Sequence, residues 1–151
     1  MKRIDEKQLQ NWGIAVLRVM VGSVLLAHGS QKLLVYGLNG TAGAFAHMGL
    51  PAPMLSAVLS IGAEFLGGLA LVLGLFTRWA AAALVINMAV AAFAVHLRNG
   101  FFLPTGAEYA LTLLAANLAL VLTGSGALAL DRLLVKGTPQ TEPAVQTWRV
   151  A

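Results

Sequence analysis

Cysteine is absent from the chain. That excludes disulfides, thiol–disulfide exchange, cysteine-ligated iron–sulfur clusters and thiolate nucleophiles. Charge is nearly as scarce. Asp, Glu, Lys and Arg make up 11% of the residues, against about a quarter in soluble domains. Apolar residues make up 58%, and the mean hydropathy is +0.79. A water-soluble globule with so few charges could not cover its own surface, so the expected solvent is lipid. The net charge of +4 is thinly spread and gives no nucleic-acid surface. The glycines lie inside apolar helices and not after a strand, so no nicotinamide or flavin fingerprint is present.

What the chain does have is four apolar runs of the length a bilayer requires, roughly 20 residues each. They cover about 12–36, 54–76, 79–97 and 106–122. Pro51 and Pro53 mark the start of the second run, and "FTRW" makes a tight turn into the third. "LLAHGS" lacks a small-x-small cleavage pattern, so the first run reads as an uncleaved span. Between the first two runs, Asn39-Gly40 reads as a turn and Thr41 as an N-cap. A short amphipathic or re-entrant helix over Ala42–Met48, closed by Gly49, then follows at the membrane surface. Lys2, Arg3, Lys7, Arg78, Arg132, Lys136 and Arg149 fall on one side, and only Lys32 and Arg98 on the other. The positive-inside rule therefore places both termini in the cytoplasm. The expected architecture is all-α: an integral membrane four-helix bundle over residues 1–136, with a polar, disordered tail over 137–151.

Ionisable residues inside the spans are functional candidates, because each costs several kcal/mol unless paired or hydrated. Depths follow from a rise of about 1.5 Å per residue. Counted from Trp12 and Met54 across a core about 30 Å thick, Arg18 and Glu64 come within about 6 Å in height and are expected to pair. Asn87 and Asn117 share that middle layer and serve at least as interhelical glue. His28, His96 and Glu108 fall at one outer level, with Lys32 one turn above His28. Arg18, His28 and Lys32 share one face of the first helix, within a sector of about 80°. Together these residues outline a polar cleft. Plainer roles compete: Arg18–Glu64 as a packing pair, Thr105 and Glu108 as a capping box, and Lys32 snorkelling to headgroups.

The segments "LRVMVGSVLLAHGSQKL", "GLP", "AEFLGGLALVLGLFTRWAA", "NGFF" with "EYALTLL", and "GSGALALD" resemble the DoxX family of small four-helix bacterial membrane proteins. The resemblance covers roughly Leu17 to Leu133. It implies residence in the bacterial inner membrane and carries over to Arg18, His28, Lys32, Glu64, Arg78 and Glu108. The family takes its name from a subunit of an archaeal thiosulfate:quinone oxidoreductase, and other members accompany redox and oxidative-stress proteins.

The expectation is a quinone-linked redox subunit, coupled to a soluble partner protein and capable of homo-oligomerising. Arg18, His28, Lys32, His96 and Asn87 would bind the quinone, while Glu64, His28 and Glu108 would exchange protons. In a competing reading His28 and His96 are axial ligands of a b-type haem, or join Glu108 in a His-His-carboxylate metal site. A third makes the chain a membrane scaffold or a small-molecule or proton pathway.

Overall fold

The computed structural model describes residues 5–131. The tail over 137–151 and the basic residues Lys2, Arg3, Arg132, Lys136 and Arg149 lie outside that range. All regular elements among the described residues are helical. Helix α1 (Glu6–Ser30) opens at Asp5, whose carboxylate accepts from the Lys7 amide. It runs through a wide π turn (Gln31–Tyr36) into α2 (Gly37–His47). Pro53, in the first turn, opens α3 (Pro53–Gly62), which passes through a second π turn (Ala63–Gly67) into α4 (Gly68–Leu73). Helix α5 (Thr77–Ala89) ends in a third π turn (Val90–His96) and one 3-10 turn. Helix α6 (Glu108–Thr123) completes the set.

Three continuous runs, Glu6–His47, Pro53–Leu73 and Thr77–Asn99, are long and apolar enough to cross a bilayer; Glu108–Thr123 is apolar but shorter. They pack around one core of Val21, Leu25, Leu71, Leu84, Met88, Leu113 and Leu120. Large apolar side chains such as Met20, Leu34, Leu59, Leu66, Ile86 and Leu122 point outward, which water would penalise and lipid does not.

Glycine sets the closest contact. A methyl group on Gly22 would stand 2.9 Å from the Gly68 carbonyl oxygen, and one on Gly29 would stand 2.8 Å from the Glu64 carbonyl carbon. The α1 backbone therefore lies directly on the α3–α4 run, in the small-residue packing that lipid-embedded helices favour.

The connection after Tyr36 differs from the sequence expectation. Asn39 and Gly40 are helical and not a turn, because the chain changes direction earlier, at Gly37 (φ 69°). Thr41 lies within α2, buried, and its hydroxyl donates to the Lys32 carbonyl at 3.2 Å; it caps the preceding helical run instead of opening a new one. Gly49 (φ 76°) closes the segment as expected.

The "GSGALALD" segment, residues 124–131, is a strap across the opposite end of the helices. Its Ala127 amide donates to the Asn11 carbonyl, and the Leu130 and Asp131 amides donate to those of Leu73 and Gly74. The Asp131 carboxylate accepts from the Phe76 and Thr77 amides at 2.6 and 3.1 Å, which caps α5 from a distant part of the chain.

Candidate functional site

The three π turns carry Lys32, Glu64 and His96, and Asn87 stands one turn before the third. A π turn inserts a residue into the helical ladder, which shifts the side-chain phase, and such turns often accompany functional sites. Here the shifts bring the polar groups of three separate runs to one cavity of about 200 Å³. Glu64 is 3% exposed. Its Oε1 accepts from Lys32 Nζ at 2.6 Å and from Asn87 Nδ2 at 3.0 Å. Lys32 Nζ also donates to Ser60 Oγ at 3.1 Å and stands 5.9 Å from the centre of the Phe45 ring. Glu64 Oε2 is buried and has no partner. Met48, Leu50, Val90, Ala91 and Val95 supply the apolar walls, and His96 lies at the margin.

The expected Arg18–Glu64 pair does not form; Lys32 takes that place. Gly29 on Glu64 and Gly22 on Gly68 fix the register of α1 against its antiparallel neighbour. Glu64 is thus level with Gly29, eleven residues and about 16 Å above Arg18. Counting inward from Trp12 and Met54 missed this, because the register sets those two residues about 40 Å apart in height at about 1.5 Å per residue, more than the about 30 Å assumed between them.

Arg18 is instead 1% exposed beneath the strap. Its Nε donates to the Ser125 carbonyl at 2.9 Å, and its terminal nitrogens donate to the carbonyls of Leu71, Val72, Ala127 and Leu128. A cation at the C-terminal end of α4 is favoured by the helix dipole. Arg18 thus ties the strap to the helices, away from the cavity.

The outer layer also divides. His28 Nε2 meets the Tyr109 hydroxyl at 3.3 Å, in a groove with Val24, Ala27 and Gln31 that shares no residue with the Lys32 cavity. His96 Nδ1 lies 3.1 Å from the Thr105 carbonyl, which can only accept, so Nδ1 carries the hydrogen. Glu108 Oε1 accepts from the Leu103 amide at 2.9 Å. It thus fixes the 103–108 loop, although α6 begins without the expected Thr105 cap. Among the described residues no three His, Asp or Glu side chains converge as a metal site. His28 and His96 are held by different partners.

Of the sequence candidates, the structure brings together Lys32, Glu64, Asn87 and His96. It leaves Arg18, His28 and Glu108 elsewhere. Ser60 and Phe45 are pocket residues that the sequence reading did not single out. Ser60 sits one helical turn before Glu64, a spacing that could have flagged it.

Fold and site define a small helical membrane protein with a partly buried Lys32–Glu64 ion pair at an apolar cavity. The DoxX family model matches residues 13–97, and the chain belongs to that family. The matched region contains the whole Lys32–Glu64–Asn87–His96 set. A Haemophilus influenzae protein of uncharacterised function is 36% identical over 82% of this chain and 91% of its own. A Bacillus subtilis protein named "Putative oxidoreductase CatD" is 34% identical over 83% of this chain and 89% of its own. The Escherichia coli inner membrane protein YqjF is 32% identical, over 86% of this chain and 98% of its own. No solved structure matches the chain. Its apolar helical runs and its relatives place it in the bacterial inner membrane as a multi-pass protein.

Proposed function

We propose that this chain is a redox subunit whose Lys32–Glu64 pocket takes the ring of a quinone and which couples to a soluble oxidoreductase. One observation carries the reading: a buried carboxylate with a single satisfied oxygen, beside a lysine, at an apolar cavity. A quinone ring needs apolar walls and hydrogen-bond donors for its carbonyls. Lys32 Nζ has three hydrogens, of which Ser60 and Glu64 take two, so one is left for a guest. Pockets for drug-sized ligands occupy about 300–1,000 Å³. A cavity of about 200 Å³ suits a ring headgroup whose tail stays in the lipid.

When bound, a quinone takes up two electrons, delivered by the soluble partner, and two protons, giving a quinol. The chain's own residues supply the setting for this. Lys32 donates to a ring carbonyl and holds positive charge beside it. Glu64 Oε2 is the free position at which a proton can be held or passed on. Asn87 fixes the carboxylate through Oε1, and Val90, Ala91 and Val95 give the ring apolar walls. The name of the Bacillus subtilis relative supports the redox half of this reading.

The test is titration of the purified chain with 2-methyl-1,4-naphthoquinone. A lost charge-assisted hydrogen bond costs about 1.5–3 kcal/mol. Lys32→Met should therefore weaken binding by roughly tenfold or more, and Glu64→Gln should also weaken it. Unchanged affinity in both variants would overturn the proposal.

A further inference from the structure

The Lys32 ammonium and the Glu64 carboxylate offset each other at 2.6 Å, so the cavity floor carries no net charge for a guest to match. What it offers is a pair of unused hydrogen-bonding positions. Lys32 Nζ keeps one hydrogen after Ser60 and Glu64 are served. Glu64 Oε2 is an acceptor, buried and without a partner among the described residues, on a side chain that lines the cavity. The two positions are neighbours. Nζ touches Oε1, and Oε1 and Oε2 share one carbon, so a single guest oxygen can reach both.

A buried acceptor left unmet costs free energy, and more when it is ionised. The cavity therefore asks its guest for a donor as well as an acceptor. The two redox forms of a quinone differ in that respect. A ring carbonyl can only accept, so it meets Lys32 and leaves Oε2 unmet. A ring hydroxyl has lone pairs for Lys32 and a hydrogen for Oε2. It makes the contact that the carbonyl makes and adds a charge-assisted one.

We propose that the pocket binds the reduced, hydroxyl-bearing ring more tightly than the oxidised, carbonyl-bearing one, through a ring hydroxyl that bridges Lys32 Nζ and Glu64 Oε2. The inference rests on the quinone reading and gives that site a direction. Tighter holding of the reduced form raises the potential of the bound couple, by about 30 mV per tenfold for two electrons. The bound quinone is then a better electron acceptor than the same quinone free in the bilayer. Two electrons from the soluble oxidoreductase and two protons turn its two carbonyls into two hydroxyls, one of which lies between Lys32 and Glu64.

The full chain is titrated without oxygen, in one non-ionic detergent, with 2-methyl-1,4-naphthoquinone and with its dithionite-reduced diol. Affinities are referred to the concentration of each probe in the detergent phase. The diol should bind more tightly by roughly tenfold or more. The midpoint potential of the bound couple should accordingly lie about 30 mV or more above its value in empty micelles. In Glu64→Gln the amide oxygen stays with Lys32 and Asn87, and an NH2 donor replaces Oε2, so the preference should disappear whatever happens to the two affinities. A second pair exchanges no electrons: 1-naphthol should outbind 1-methoxynaphthalene on the native chain. Equal affinity for diol and quinone, tighter binding of the quinone, a preference unchanged in Glu64→Gln, or equal binding of 1-naphthol and its methyl ether would overturn the proposal. If neither naphthoquinone form binds while 1-naphthol still outbinds its ether, the quinone reading alone falls. A quinone that binds through Lys32 with no preference for its reduced form would leave that reading standing and remove this inference.

Discussion

Replacing Lys32 with methionine isolates the buried ion pair. Glu64 would stay 3% exposed but keep only the Asn87 amide, at 3.0 Å, as a donor. Removing one partner of a buried pair costs about 3–5 kcal/mol, mostly because the other charge is stranded. Lys32→Met should therefore destabilise the chain by roughly that amount, somewhat less because Lys32 is 22% exposed and water can reach its place. Glu64→Gln in the same background removes the stranded charge, and the double variant should recover a large part of the loss. The coupling between positions 32 and 64 should then reach roughly 2–3 kcal/mol, within the range for contacting residues. The assay is reversible unfolding of the full chain in mixed micelles, followed by tryptophan fluorescence. The contrast is built in: Arg18 and Glu64 share no partner, so their cycle should be additive to within about 0.5 kcal/mol. Coupling at 18–64, or additivity at 32–64, would refute the assigned pairing.

Three further outcomes follow from the packing. Arg18→Lys cannot reproduce donors spread over both the α4 end and the strap, and should cost roughly 2–4 kcal/mol by leaving buried carbonyls unmet. The same unfolding assay measures this, and faster proteolysis near residues 124–131 should accompany it. Gly29→Ala would push α1 off Glu64 and Phe65 and should cost at least about 1–3 kcal/mol, whereas Gly62→Ala meets nothing within 4 Å and should be neutral or stabilising by up to about 1 kcal/mol. Asp131→Ala removes the acceptor of two amides at the start of α5 and should cost about 1 kcal/mol in thermal unfolding.

The pattern of four apolar runs was legible in the sequence because hydropathy acts locally. Pro53 and Gly49 marked their boundaries for equally local reasons. The polar residues were legible as a set, since a charge in a span stands out wherever it lies. Their pairing was not. Whether Glu64 meets Arg18 or Lys32 depends on the sliding register of two antiparallel helices, and contacts at Gly22, Gly29 and Gly68 decide it. Gly22 and Gly29 are seven residues apart and so share a face with Lys32, a spacing that hinted at the register without specifying the partner. The π turns were invisible for a related reason. Their sequences, QKLLVY, AEFLG and VAAFAVH, suit an ordinary helix, and the extra residue is accommodated by packing between runs. Arg18 misled because a buried arginine commonly seeks an acid, whereas here the strap presents carbonyls to it.

The most direct measurement of the pocket assignment is photolabelling of the full chain with an azido-substituted quinone, followed by peptide mapping. Labels are expected on pocket-lining residues within 45–60 and 87–96, above all Met48, Leu50, Val90 and Val95, and are expected to be lost in Lys32→Met. Labels confined to lipid-facing residues such as Leu34, Leu59 and Ile86, or to the His28–Tyr109 groove, would contradict it.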